Sequence, residues 1–180
     1  MRPIYIETAY GAAQTGQENR MKKIPITKTG FDKLKKELDH LKSVLIPRNI
    51  RDIEEARAHG DISENAEYAA AKERQSFLHG KMQELENNLA SSQIIDLKDL
   101  HDDRVVFGAT VRIEDIHTGK EIRYQLVGPC ESDINENKIS VTSPIGKALI
   151  GKVIGDEVTV RAPGGIREFQ IVDIRIEEMA

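Results

Sequence analysis

Tryptophan is absent, cysteine occurs once, and aromatic residues make up only 4% of the 180-residue chain. The lone Cys130 excludes an intramolecular disulfide and a cysteine-based zinc site, and a reducing cytoplasm is the compartment that fits. No apolar run approaches the ~20 residues of a membrane span, and the N-terminus lacks the apolar region of a secretory signal, so no membrane role is expected. A large excess of positive charge is missing too. With 26 Lys and Arg against 30 Asp and Glu, the formal net charge is -4, which argues against nonspecific grip on nucleic acid over the whole surface.

What is present is charge and helical periodicity. Charged residues make up 31% of the chain and hydrophobic ones 39%, a balance that suits one ordinary core plus an extended element with much surface. Leu34, Leu38, Leu41 and Leu45 recur at the four-and-three spacing of an apolar helical stripe, followed by Ile50, Ile53 and Ala56. A second stripe runs through Ala66, Ala70, Leu78, Met82, Leu85 and Leu89. Folding back near Asp61 and Ile62 registers Leu34 with Leu89, Leu38 with Leu85, Leu41 with Met82, Leu45 with Leu78 and Ile53 with Ala70. That register predicts a long antiparallel coiled-coil hairpin. Arms of roughly thirty residues at ~1.5 Å each span about 45 Å, more than a compact core of this size needs.

Local signals agree. Thr27 is placed to cap the first arm, Gly60 to end it, and Asp61 or Ser63 to cap the second. Pro47 falls inside the first arm, where the stripe continues past it, so a bend is expected rather than a stop.

Residues 1–20 show no helical periodicity and precede a second Met at position 21; they read as a disordered, dispensable extension. The hairpin occupies 21–95, a polar linker 96–104, and a second domain 105–180. There the period becomes alternating: Val105 to Phe107, Thr110 to Ile116, Ile122 to Val127, Lys138 to Val141, Glu157 to Arg161 and Glu168 to Ile176 read as strands. Ser143 and Pro144 open a short helix. The predicted class is α+β, a helical hairpin followed by a small antiparallel sheet with one short helix.

The segment Ala56-Arg-Ala-His-Gly-Asp-Ile-Ser-Glu-Asn-Ala-Glu-Tyr68 places two acids, Asp61 and Glu64, at the hairpin turn. Together with Ile24-Pro-Ile-Thr27, Val106-Phe-Gly-Ala-Thr110, Ser143-Pro-Ile-Gly146, Leu149-Ile-Gly151 and Pro163-Gly-Gly165, it resembles the Gre transcript-cleavage factors of bacterial RNA polymerase, the GreA branch in particular. The resemblance covers Met21 to the C-terminus. It implies a coiled coil that enters the polymerase secondary channel and a C-terminal domain of FK506-binding-protein-like fold that docks at the channel rim. It further implies that Asp61 and Glu64 approach the polymerase active site and there help a second magnesium ion and a water attack the nascent RNA, near its 3′ end. Arg57 and Lys72 match basic positions associated with polymerase engagement. Partners would then be polymerase and nascent RNA, with the factor acting as a monomer and not as an enzyme.

The chemistry is consistent with that assignment. Hydrolysis of an internal phosphodiester needs a deprotonated water and a paired-metal site that stabilises the attacking and leaving oxygens. Magnesium keeps several waters and takes few carboxylates, so Asp61 and Glu64 alone would hold it weakly, and no cofactor is expected on the free protein. The bland reading of D-x-x-E is a capping box, which is compatible with the functional one. For His59, a dipole partner at a helix end outweighs a proton relay. Tyr68 could meet RNA or polymerase, or fill the hairpin seam; Asn65 could orient a water or finish the turn. Lys33, Lys35, Lys36, Lys42, Arg48, Arg51, Arg74 and Lys81 are interspersed with acids, as on a solvated helix surface. Phe107, Tyr124 and Phe169 are the sheet region's only aromatics, better explained as core than as an isomerase pocket. Two other functions stand beside cleavage activation: a channel-binding regulator that does not stimulate cleavage, and a peptide-binding or chaperone-like module.

Overall fold

The computed structural model describes residues 23–58, 65–96, 103–162 and 165–176. The extension 1–20 and the linker residues 97–102 lie outside these. In chain order the elements are β1 (Ile24–Ile26), α1 (Lys28–His40), a π-helical turn (Leu41–Leu45), α2 (Ile46–Ala58), α3 (Ala66–Ser91), β2 (Ser92–Ile94), β3 (Thr110–Asp115), β4 (Glu121–Val127), β5 (Lys138–Ser140), α4 (Pro144–Leu149), β6 (Glu157–Ala162) and β7 (Gly165–Arg175).

The hairpin forms as the stripes require. Thr27 caps α1, its side chain accepting from Gly30 N at 3.0 Å. Leu34, Leu38, Leu41, Ile53 and Ala56 are buried on the ascending arm, and Ala71, Leu78 and Leu85 on the returning one. At the foot, Leu34, Leu38 and Leu85 share a buried cluster with Ile26, flanked by Phe31, Met82, Leu89 and Cys130.

Three expectations for the arms need correction. The first concerns Pro47, whose effect is not a simple bend. The residues before it form a π-helical turn in which Ile46 N bonds Leu41 O, five residues back. This wider turn relieves the clash a proline ring makes with the carbonyl four residues earlier, and its extra residue shifts the phase of everything beyond. As a result Asn49, 2% exposed, occupies the seam while Ile50 is 44% exposed. Asn49 is satisfied there: its Nδ2 donates to Ala71 O at 2.9 Å. Second, Ala66 and Ala70 are exposed and Ala71 is buried, so Ile53 does not face Ala70 across the seam. Third, the arms do not run helical to their ends, since β1 and β2 pair in parallel with Ile24 opposite Ser92 and Ile26 opposite Ile94. The hydrogen bond from Ile95 N to Ile26 O (3.0 Å) extends that pairing.

The second domain is a five-stranded sheet in the order β5-β4-β3-β7-β6. It is mixed rather than wholly antiparallel, because β4 and β5 run parallel, Gln125 opposite Lys138. Alternation sends Val111 and Ile113 of β3 and Phe169 and Ile171 of β7 into one core with Leu126, Val158, Val160 and Leu149. A register shift between Arg112 and Ile113 marks a bulge against β7, whose strand begins at Gly165, earlier than the alternation suggested. Val105 to Phe107 is not a strand; Val105 exchanges isolated bonds with Lys152 and Gly151 instead. Helix α4 starts as expected, with Ser143 Oγ accepting from Gly146 N at 3.1 Å and Pro144 in the first turn. Phe107 and Phe169 are buried and Tyr124 packs on the core, as the core reading of these aromatics requires.

Candidate functional site at the hairpin tip

Helix α2 ends at Ala58 and α3 begins at Ala66, so the segment bearing His59, Gly60, Asp61, Ser63 and Glu64 is held between two helix ends. Those five residues lie outside the described residues. The frame that carries them can be described.

Asn65 does two things. Its Oδ1 accepts from Tyr68 N at 3.0 Å, which caps α3, and its Nδ2 donates to Ala56 O at 2.8 Å, which ties that cap to the last turn of α2. The helix cap is therefore Asn65 and not Asp61 or Ser63. Ala56 O and the first amides of α3 are groups a helix end leaves unpaired, and one side-chain amide satisfies one of each.

Arg57 and Tyr68 close the frame on the outside. Arg57 Nη2 donates to the Tyr68 hydroxyl at 3.5 Å, and its guanidinium sits 5.6 Å from the ring centroid. The hydrogen bond from Arg57 draws the Tyr68 phenol below its ordinary pKa, helped by the charges of Arg57 and Lys72 against the opposing effect of desolvation. The same bond raises the Arg57 guanidinium. Tyr68 is half-buried, so the ring neither fills the seam nor stands free of it. Lys72, one turn on, is exposed and donates to Gln75 Oε1 at 2.5 Å. The structure thus gathers Arg57, Asn65, Tyr68 and Lys72 around the acid-bearing turn.

Among the described residues, no group of three or more His, Cys, Asp or Glu could hold a metal ion. The described frame of the tip adds amide, phenol and cationic groups and, in the first turn of α3, the exposed carboxylate of Glu67, too few acids for a metal site among the described residues. Along the stalk, several cations are paired with acids: Lys42 with Glu86 at 2.6 Å, Lys28 with Asp32 at 2.8 Å, Lys81 with Glu37 at 4.0 Å. No helix among the described residues is long and apolar enough to cross a membrane.

Two family profiles divide the chain at the boundary seen in the fold: "Transcription elongation factor, N-terminal" over residues 24–94, and "Transcription elongation factor, GreA/GreB, C-term" over residues 100–176. The chain belongs to the GreA/GreB family of transcription elongation factors. It is 76% identical over 156 residues to transcription elongation factor GreA of Syntrophus aciditrophicus, covering 87% of this chain and 97% of that one. It is 55% identical to GreA of Methylococcus capsulatus, covering 86% and 99%. Among solved structures, GreA factor homolog 1 of Thermus thermophilus matches at 27% identity over 85% of this chain and 99% of that one, with a TM-score of 0.40, too loose a superposition to bear on the fold. GreA/GreB factors act with RNA polymerase during elongation, and the tip acids of this chain belong to the family's N-terminal domain.

Proposed function

We propose that this protein stimulates RNA polymerase to cleave backtracked nascent RNA, and so rescues arrested elongation complexes in the cytoplasm. The coiled coil enters the polymerase secondary channel as a monomer, the sheet domain, FK506-binding-protein-like by family resemblance, docks at the channel rim, and Asp61 and Glu64 reach the RNA 3′ end. A magnesium ion shared with the polymerase would supply charge stabilisation at the attacking and leaving oxygens of the phosphodiester. Asp61 would contribute an anionic ligand and Glu64 would orient the water.

One observation carries this reading. Asn65 caps α3 and clamps Ala56, which fixes the two helix ends between which the acid-bearing segment 59–64 runs. The stalk supplies reach, since the 26 residues of α3 span about 39 Å at ~1.5 Å each. Two carboxylates are too few to hold magnesium alone, which favours an activator over a nuclease. Arg57 and Lys72 flank the turn with positive charge and are placed to contact phosphate or polymerase acids without reading sequence.

The test is a stalled polymerase complex carrying end-labelled RNA, incubated with the purified protein. Release of short 3′ fragments in the presence of magnesium is expected, with none from free RNA. Cleavage of free RNA by polymerase-free protein would overturn the activator reading, and binding without fragment release would favour the non-cleaving channel regulator.

A further inference from the structure

The stalk and the sheet domain meet at a polar clasp built around one side chain. Glu131 ends a short 3-10 turn, Pro129–Glu131, between β4 and β5 of the sheet domain. Its Oε2 accepts from Thr27 N at 3.0 Å and from Gly128 N at 3.2 Å, and its Oε1 accepts from the Thr27 hydroxyl in a short hydrogen bond. Thr27 is the residue that caps α1 and is only 4% exposed. A single carboxylate from the sheet domain is therefore bonded to the first residue that sets the direction of the ascending arm, 104 positions away in sequence.

Two glycines make the approach possible. A Cβ at Gly30 would lie within 3 Å of three Glu131 side-chain atoms, and one at Gly128 within 3 Å of the Pro25 carbonyl oxygen. Neither glycine has a positive φ, so close approach and not backbone conformation explains its presence. Cys130, between Gly128 and Glu131, packs on the Ile26, Leu34, Leu38 and Leu85 cluster at the stalk foot. The contact is thus apolar on one side and fully hydrogen-bonded on the other.

We propose that Glu131 is a positioning residue for transcript cleavage: by fixing the angle at which the stalk leaves the docking domain, it determines where the tip acids arrive once the sheet domain is seated. This rests on the function proposed above. Glu131 touches neither RNA nor metal and acts through Thr27. A small angular error at the foot is magnified along the stalk. At a lever of about 40 Å, a tilt of roughly 5° displaces the tip by about 3.5 Å, enough to lose near-attack geometry. The docking surface itself is unaltered by such a tilt, so affinity and maximal rate should separate.

The variants are Glu131→Met, which keeps the length but removes every acceptor and leaves Thr27 N and Gly128 N unpaired, and Gly30→Ala, which drives a methyl into the carboxylate. Thr27→Ser retains both the cap and the hydroxyl and serves as the rescue control. Small-angle scattering of the full chain reads the relative placement of the domains, and cleavage on stalled complexes reads the half-saturating concentration and maximal rate. Glu131→Met and Gly30→Ala are expected to shift or broaden the scattering distance distribution, leave half-saturation within about twofold, and lower the maximal rate at least fivefold. Thr27→Ser should match the wild type in all three. Wild-type scattering with wild-type maximal rate for Glu131→Met would overturn the proposal. So would a change confined to half-saturation, or equal losses in Thr27→Ser. If the wild type itself releases no RNA fragments, the functional reading fails and the clasp is judged by scattering alone.

Discussion

The two halves of this molecule are buried to different depths. In the sheet domain, Ala109, Val111, Ile113, Leu126 and Leu149 are each fully enclosed, covered on several sides by β3, β4, β6, β7 and α4. Along the stalk, most seam residues retain some exposure, because a two-helix seam has only one row of partners and open flanks. Leu85 is an exception, and it sits at the foot where the two halves touch. A core with a fully enclosed centre makes a rigid block, whereas a shallow seam makes a slender support whose stability is distributed turn by turn. Stability and chemistry should therefore be separable by mutation.

The largest effect expected is on the deep core. Leu126→Ala should cost about 3 kcal/mol in chemical denaturation, and Leu38→Ala in the seam nearer 2 kcal/mol, since open flanks let the site collapse or hydrate. Equal losses would mean the two regions are buried to the same effective depth. Asp61→Asn should show the opposite profile. Because Asn65 provides the cap, this variant should change stability by less than about 0.5 kcal/mol. Yet loss of the anionic ligand should slow cleavage about tenfold or more, equivalent to ~1.4 kcal/mol in barrier. Full cleavage by a normally binding Asp61→Asn protein would remove Asp61 from the mechanism.

Asn65→Ala comes next. It removes a cap and a clamp together and should cost about 1 kcal/mol in thermal unfolding, with a parallel fall in cleavage. Unchanged stability would show that the two hydrogen bonds do not hold the turn. The smallest effect belongs to Arg57→Ala, which should leave stability within ~0.5 kcal/mol and raise the Tyr68 phenol back toward its usual pKa of about 10, read by ultraviolet titration. Because the folded phenol is lowered, any stability linked to it is present only above the unfolded value and is lost as pH falls through the folded one. At pH 7 it contributes nothing. A phenol that titrates identically with and without Arg57 would dissolve that contact.

Much of this arrangement was legible in sequence wherever periodicity is long. The leucine stripes gave the arms, and alternation at Thr110 to Ile116 and Glu157 to Arg161 gave strands, because many residues vote on each assignment. Three-residue strands such as β1 and β2 carry no such vote, and their parallel pairing depends on two segments brought together by the hairpin. The π-turn was hidden for another reason: a proline in a continuing stripe signals a disturbance but not its geometry, so Ile50 was the natural choice for the seam and Asn49 was missed. The Asn65 cap had a visible signal, a strong capping residue directly before an Ala-rich helix, overshadowed by the acids upstream. Glu131 had none, since Thr27, its partner on the stalk, lies 104 positions away in sequence. The acids themselves were read from their place in the turn and from family resemblance.

The π-turn at Leu41–Leu45 has a consequence for the genetics of the tip. Because that turn holds one residue more than an α-turn, deleting one residue there would restore a regular helix and leave Asn49, Ile53 and Ala56 facing the seam. The same deletion within the regular turns of α2 would rotate everything beyond it by about 100° relative to the foot. Along this arm, loss of a single codon is a gentle error at the π-turn and would aim the tip at the wrong wall anywhere in α1 or α2.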